Sequence, residues 1–426
     1  MSSLLIRDGV LVDPAAGLER PGHLLVRDGV IAAIDPRGGA AADRVVDAAG
    51  AYVLPGFVDM HVHLREPGFE HKETIATGLL AAVRGGFTAV APMPNTQPVC
   101  DSPQVYKLVL DRAAAVRLAH VHPIAAITTG SRGMELADLA RLAALGCRAF
   151  SNDGQPVEDA ATMLRAMEVV RRLGGVVIDH CEDKTLSRGG AMHAGPEAER
   201  WGVTGQSPLA EEVHIARDVL LAEATDCRLH IAHLSTARGL ELVRWARRRG
   251  VAVTAEASPH HFCLSTADMP GPDPNYKMNP PLRPPADRDA LVGGLAAGDI
   301  DAIATDHAPH ADAEKARGFQ DAPHGVIGLE TAVPLIMDRL YHTGRMGIGQ
   351  IALACAVLPA RILGAPARSL QPGAAAHLTL IDPDRPTVIA RDGFASRSRN
   401  TPFEGWRLRG AVRATIVDGE VRYHIN

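Results

Sequence analysis

Histidine and aspartate recur at the ends of five short β-prone runs. The runs finish in His61-Val62-His63, Asp153, His180, His233 and Asp306. On a strand, side chains at i and i+2 share a face, so His61 and His63 can both reach one ion. Imidazole suits zinc, and carboxylate oxygen completes a borderline-hard site. Asp153 is the natural bridge if two ions bind, with His180 and His233 holding the second. Asp306 can touch the metal and also shuttle a proton. A bound ion acidifies water, and a carboxylate can take its proton and pass it to a leaving nitrogen. The chemistry implied is metal-assisted hydrolysis of an amide-like bond. No Gly-x-Ser-x-Gly elbow or phosphate-binding loop competes with it. Cys181 follows His180 and points to the other strand face. His230, three residues before His233, is read as structural.

Ligands at the C-terminal ends of successive strands are the arrangement of a (β/α)8 TIM barrel. The region 55–365 supplies the elements. Strands are expected at 57–62, 87–93, 121–127, 147–152, 175–180, 228–234, 250–256 and 300–305. Helices are expected at 72–85, 103–117, 134–145, 158–173, 208–226, 237–249 and 287–297. Several of the strands are nearly continuous apolar runs, as in a parallel sheet covered on both faces. Pro/Gly-rich stretches at 269–285 and 306–328 follow late strands and are expected as mobile loops over the site. Residues 1–54 and 366–426 read instead as short strands. Asp8-Gly9, Asp28-Gly29 and Asp418-Gly419 supply hairpin signals. One small β-sandwich domain built from both termini is expected. The fold class is therefore α/β.

At 426 residues the chain exceeds one ordinary core, and its 46% hydrophobic content suffices for a large one. A net charge of -5 gives no nucleic-acid or membrane footprint. Arg247-Arg248-Arg249 reads as a solvated helix end. The six cysteines show no C-x-x-C pair and read as buried free thiols of a reducing, cytoplasmic compartment. The N-terminus lacks a basic segment followed by a long apolar stretch, so no signal peptide is expected.

Longer motifs narrow the reading. They include Pro55-Gly56-Phe57-Val58-Asp59-Met60-His61-Val62-His63-Leu64-Arg65-Glu66-Pro67-Gly68, Met93-Pro94-Asn95-Thr96 and Lys277-Met278-Asn279-Pro280-Pro281-Leu282-Arg283. Thr305-Asp306-His307-Ala308-Pro309-His310, Gly325-Val326-Ile327-Gly328-Leu329-Glu330-Thr331 and Pro402-Phe403-Glu404-Gly405-Trp406 join them. With these motifs the chain resembles, over nearly its whole length, the bacterial class I dihydroorotases of the amidohydrolase superfamily. The resemblance implies reversible interconversion of L-dihydroorotate and N-carbamoyl-L-aspartate, the third step of de novo pyrimidine synthesis. It implies one or two zinc ions on His61, His63, Asp153, His180 and His233, with Asp306 as general acid/base. It also implies that Arg65, Asn95 and His310 hold the substrate carboxylate and that Asn279 contacts the ring. A planar guanidinium fork suits a carboxylate, and an amide suits a ring carrying both N–H and C=O. A homodimer is the family's common form, and some members associate with aspartate transcarbamoylase.

Two positions depart from the family pattern. Asn152 stands where many relatives carry Asp, which leaves the metal count open. His324 stands where relatives often have Phe, and is expected to alter loop closure or pH dependence. Two rival readings share features with the first. A hydantoinase or allantoinase would share fold and metals, but usually bridges them with a carboxylated lysine where this chain has Asp153. A non-catalytic partner of aspartate transcarbamoylase would have no need of the metal ligands, and all are present here.

Overall fold

The computed structural model describes residues 3–36 and 41–425. Along the chain its strands are β1 (Ser3–Asp13), β2 (Leu18–Arg27), β3 (Val30–Ile34), β4 (Arg44–Asp47), β5 (Tyr52–Pro55), β6 (Phe57–Val62), β7 (Phe87–Pro92), β8 (His120–Val121) and β9 (Ala149–Phe150). They continue as β10 (Val176–Asp179), β11 (Met192–His193), β12 (Gly205–Gln206), β13 (Arg228–Ile231), β14 (Val253–Ala257), β15 (Ala302–Ile303), β16 (Leu378–Val388), β17 (Arg407–Val417) and β18 (Glu420–His424).

Each of the eight β-prone windows in the middle of the chain holds a strand, and these strands pair in parallel. One sheet runs β6-β7-β8 and a second runs β15-β14-β13-β10-β9. Parallel bridges Ala125–Phe150 and Val62–His307 join the two sheets at both edges. Every residue of β6 and β7 is buried, because helices cover one face and the other faces inward. The window at 121–127 yields only a short regular strand. Pro123 lacks an N–H, yet its neighbours keep the ladder, His122 N donating to Val90 O at 2.9 Å and Ile124 N to Pro92 O at 3.0 Å. Helices follow the strands at Ile75–Arg84, Pro103–Val116, Leu139–Ala144, Ala160–Arg172, Leu209–Thr225, Ala237–Arg248 and Pro285–Ala297, six within the expected windows and the last beginning two residues before its own. None of the described helices is long and apolar enough to cross a membrane.

The two termini share one sheet, ordered β18-β17-β16-β5-β1-β2-β3, with β4 beside β1. Asp28-Gly29 and Asp418-Gly419 turn hairpins as expected. Asp8-Gly9 does not. It is a bulge within β1, with Asp8 at φ 57° and the register shifting between Ile6 and Gly9. The β1–β2 turn falls at residues 14–17 instead. The expected sandwich layers are two halves of a single hydrogen-bonded sheet. Leu4, Ile6, Leu11 and Leu24 from one half pack with Leu378, Leu380, Ala414 and Ile416 from the other. The Asp28-Gly29 and Asp418-Gly419 turns meet so closely that a Cβ on Gly419 would lie 2.9 Å from Gly29 Cα.

Thr379 of β16 joins this sheet to the parallel strands. Its hydroxyl accepts from Phe57 N at 3.0 Å and donates to Gly86 O at 2.6 Å, fixing the start of the strand that ends in His61 and His63. Asp13 seals the other side. Fully buried, it accepts from Ala15 N at 3.1 Å, Ser369 Oγ at 2.7 Å and Leu370 N at 2.7 Å. Replacing Asp13 with Ala strands these donors, and each buried unsatisfied group costs about 1–3 kcal/mol. Asp13→Ala is expected to shift the urea unfolding midpoint downward while leaving metal content unchanged, measured by far-ultraviolet circular dichroism.

Candidate active site

His61 and His63 point inward from the end of β6, as their spacing requires. Asp153 follows β9, His180 follows β10, His233 lies two residues past β13, and Asp306 lies three past β15. All six side chains meet in one buried cluster. Asp153 Oδ1 stands 3.4 Å from His61 Nε2, 3.6 Å from His180 Nδ1 and 3.8 Å from His233 Nε2. Asp306 Oδ1 stands 3.1 Å from His63 Nε2 and 3.6 Å from His61 Nε2. His233 and Asp306 adopt φ of 31° and 48°, and Arg65 φ 62°. Non-glycine residues seldom hold such angles, and those that do cluster at functional sites.

The donor set fits a divalent cation. His61 Nε2, Asp153 Oδ1 and His233 Nδ1 are buried without a hydrogen-bond partner. The separations around Asp153 Oδ1 exceed hydrogen-bond length and suit donors converging on a shared ion. Two overlapping triads have ligand atoms close enough for this: His61, His63 and Asp306, and His61, Asp153 and His233. The field agrees. Burial opposes charge on His61, but Glu256 and Asp153 outweigh it and favour positive charge there. Burial would also raise Asp306, yet the His63 hydrogen bond and nearby imidazoles hold it below the usual carboxylate range.

Supporting residues orient the ligands. Glu256, fully buried on β14, has Oε1 2.7 Å from His61 Nδ1 and Oε2 3.1 Å from His230 Nε2. Bonding at Nδ1 leaves Nε2 of His61 free to face a metal. Glu182 does the same at His180 Nε2, 3.1 Å away. Asp59 ties β6 to the end of β15 through Thr305 N at 3.1 Å and Thr305 Oγ1 at 2.5 Å. The sequence reading missed these three carboxylates. The available signal was a charge inside an otherwise apolar strand, as in Val253-Thr254-Ala255-Glu256-Ala257. His230 is structural as expected, but its partner is the carboxylate that holds His61. Cys181 packs away from the cluster, and all six cysteines are buried and free.

A cavity of about 410 Å³ opens above the cluster, lined among others by Arg65, Asn95, Asn279, His310 and His324. Arg65 Nε donates to Pro309 O at 3.1 Å, and its Nη2 lies 3.3 Å from His310 Nε2. Burial lowers the Arg65 guanidinium to about 10, so it stays charged at neutral pH. Asn95 reaches inward rather than standing free. Its Oδ1 is 3.0 Å from His63 Nδ1, and its Nδ2 donates to Asp153 Oδ2 at 3.1 Å. Asn279 Nδ2 donates to Glu182 Oε2 at 3.0 Å, and its Oδ1 accepts from Gln206 Nε2 at 3.2 Å.

Both departures from the family pattern find a place. Asn152 turns away from the cluster. Its Oδ1 accepts from Ile127 N and Thr128 N at 3.0 and 3.1 Å, and its Nδ2 donates to Thr128 Oγ1 at 2.7 Å. His324 lines the cavity with Nε2 3.3 Å from Gly190 O. Burial and then Lys277 push it down to about 3.

A family model described as Dihydro-orotase-like matches residues 50–239. A dihydroorotase of Pelotomaculum thermopropionicum is 49% identical over 98% of both chains. One from a Geobacillus strain is 46% identical over 98% of both. Among solved structures, an L-hydantoinase (dihydropyrimidinase) from Arthrobacter aurescens superposes with a TM-score of 0.90 at 26% identity, covering 99% of this chain and 96% of that one. A Thermus D-hydantoinase gives 0.84 at 25%, covering 98% and 94%. The fold is thus the α/β fold of the hydantoinase-type amidohydrolases, carrying a buried His/Asp cluster suited to metal. Within that class, the near-full-length identities are decisive: the chain belongs to the dihydroorotase family.

Two predictions arise from this geometry. Glu256→Ala is expected to weaken metal binding about 10–100-fold, read by chelator competition. His324 does not change charge between pH 5 and 9, so His324→Phe is expected to leave the pH–rate profile unshifted; a displaced limb would contradict this.

Proposed function

We propose that the chain is a dihydroorotase, interconverting L-dihydroorotate and N-carbamoyl-L-aspartate in pyrimidine synthesis. One observation carries the reading: Arg65, Asn279 and His310 line the same cavity as the His/Asp cluster, in a chain 49% identical to a dihydroorotase over 98% of its length. The eight parallel strands are read as a (β/α)8 TIM barrel over 55–365, with 1–54 and 366–426 forming the small β-domain. The bridges Ala125–Phe150 and Val62–His307 support closure of the ring.

The metal is read as zinc, one or two ions per subunit. His61 and His63 with Asp306 would hold one, His180 and His233 the other, and Asp153 would bridge. When bound, the ion supplies a Lewis acid that polarises the ring carbonyl and acidifies water. Asp306, held deprotonated, accepts a proton from water as its oxygen adds to the carbonyl carbon. It then returns that proton to the ring nitrogen as the C–N bond breaks. Arg65 pairs with the substrate carboxylate, aided by His310 and Asn95, and so fixes the scissile bond over Asp306. Asn95 also holds His63 and Asp153, so it couples substrate position to ligand position. Asn279 presents its amide to the ring.

The likeness to hydantoinase structures supports a second reading, a hydantoinase or allantoinase. Identity of 26% against 49% favours the first. By resemblance we further infer a cytoplasmic homodimer, able to associate with aspartate transcarbamoylase; size-exclusion chromatography with and without that enzyme tests both.

Purified protein is expected to carry zinc, counted per subunit by elemental analysis, and to deplete the ultraviolet absorbance of L-dihydroorotate. Asp306→Ala should slow this by about 10²–10⁴-fold with the fold intact. A wild type that carries metal, ignores dihydroorotate and opens hydantoin or allantoin would replace the first reading with the second.

A further inference from the structure

Lys315 is a buried lysine whose charge meets no described carboxylate as an ion pair. Its ammonium instead donates to three backbone carbonyls: Gly325 O at 2.9 Å, Pro323 O at 3.0 Å and Lys277 O at 3.3 Å. Three N–H groups for three acceptors is the full capacity of a charged lysine. The acceptors belong to both Pro/Gly-rich loops. Lys277 sits two residues before Asn279 in the loop after β14, whereas Pro323 and Gly325 flank His324 in the loop after β15. Around this hub the same loops are tied again. Gly325 N donates to Lys277 O at 2.9 Å, Lys277 Nζ donates to Gln320 O at 2.7 Å, and Asn400 Nδ2 donates to Gly325 O at 3.0 Å. His310 Nε2 in turn meets His324 O at 2.8 Å.

We propose that Lys315 is a positioning residue for the reaction, its ammonium clamping the two loops so that Asn279, His310 and His324 stand at fixed places around the cavity. The clamp touches neither metal ligands nor substrate. It acts through the backbone on either side of His324 and beside Asn279. It also differs from the untethered loops expected of such Pro/Gly-rich segments.

The clamp needs the charged form. A neutral amine has two N–H donors and a lone pair, and the lone pair would face a carbonyl oxygen. The surroundings make that loss reachable. Burial and then the nearby Lys277 ammonium push Lys315 down to about 7, with the Asp273 carboxylate opposing. Lys277 itself feels burial and Asp321, while His310 and His324, both neutral, face Lys315 from the loop it ties. The clamp is therefore complete at acid pH and released as pH rises through the neutral range. Substrate binding should weaken along that alkaline limb.

The proposal rests on the dihydroorotase reading, so its test has one readout that needs substrate and one that does not. In metal-loaded full-length protein, KM for L-dihydroorotate is expected to rise several-fold between pH 7 and 9. K315M should show a pH-independent KM about tenfold above the wild-type acid-pH value, meeting wild type at alkaline pH, with kcat changed less and the alkaline rise gone. K315R, charged throughout, should lose the rise while retaining tighter binding than K315M. Without substrate, hydrogen exchange across 306–328 should quicken in K315M but not K315R. An unchanged acid-pH KM in K315M, an alkaline rise retained in K315R, or equal exchange in K315M and wild type would each overturn the clamp. Faster exchange in K315M, in a wild type that leaves dihydroorotate untouched, would sustain the clamp and remove the activity reading.

Discussion

Asp153 Oδ1 sits buried among imidazole nitrogens to which it makes no hydrogen bond. A carboxylate in that position is costly unless positive charge lies beside it. Most of the surrounding architecture can be understood as meeting this one requirement. Four histidines are brought to it from three strand ends, those of β6, β10 and β13, and three of them are turned by a partner on the far side. Glu256 turns His61, Asn95 turns His63, and Glu182 turns His180. Each such contact fixes which nitrogen faces the centre, which a flexible imidazole would not do alone.

These partners are themselves shared. Glu256 reaches His61 and His230, and Glu182 reaches His180, Lys184 and Asn279. The ligand cluster and the cavity wall are therefore one hydrogen-bonded body. Further out, Glu73 links His307, next to Asp306, with Ser396 and Arg397 of the C-terminal segment. Thr379 links the terminal sheet to β6 and β7. The β-rich ends are thus fastened to both the first and the last of the strands that carry ligands. Asn400 of the C-terminal segment also donates to Ala308 O and Gly325 O in the loop after β15.

Much of this was legible in one dimension. The period-2 pair His61-x-His63, the eight apolar windows and the helical stretches between them follow from side-chain geometry along a single strand or helix. So does the placement of Asp153, His180, His233 and Asp306 at strand ends. Local rules misled where a local signal had two outcomes. Asp8-Gly9 carries the composition of a hairpin turn, but Leu18–Arg27 pairs along the whole of β1, and the pair became a bulge. Asn152 drew attention as a lost charge near the cluster, yet its amide is spent on Ile127 and Thr128 and faces away.

By itself, the sequence determined the ligand types, their order and their attachment to strand ends, because alternation along a strand requires no knowledge of the neighbouring strand. Only the tertiary structure decided which groups stand behind those ligands. Glu256 lies 195 residues from the His61 it orients, and Asp59 lies 246 from the Thr305 it holds. Lys315 likewise draws its meaning from Lys277, 38 residues away, and from two carbonyls in its own loop. Such pairings depend on strand order, register and loop closure. A buried carboxylate or ammonium can satisfy itself with any suitable partner that folding brings within reach, and no local pattern names that partner.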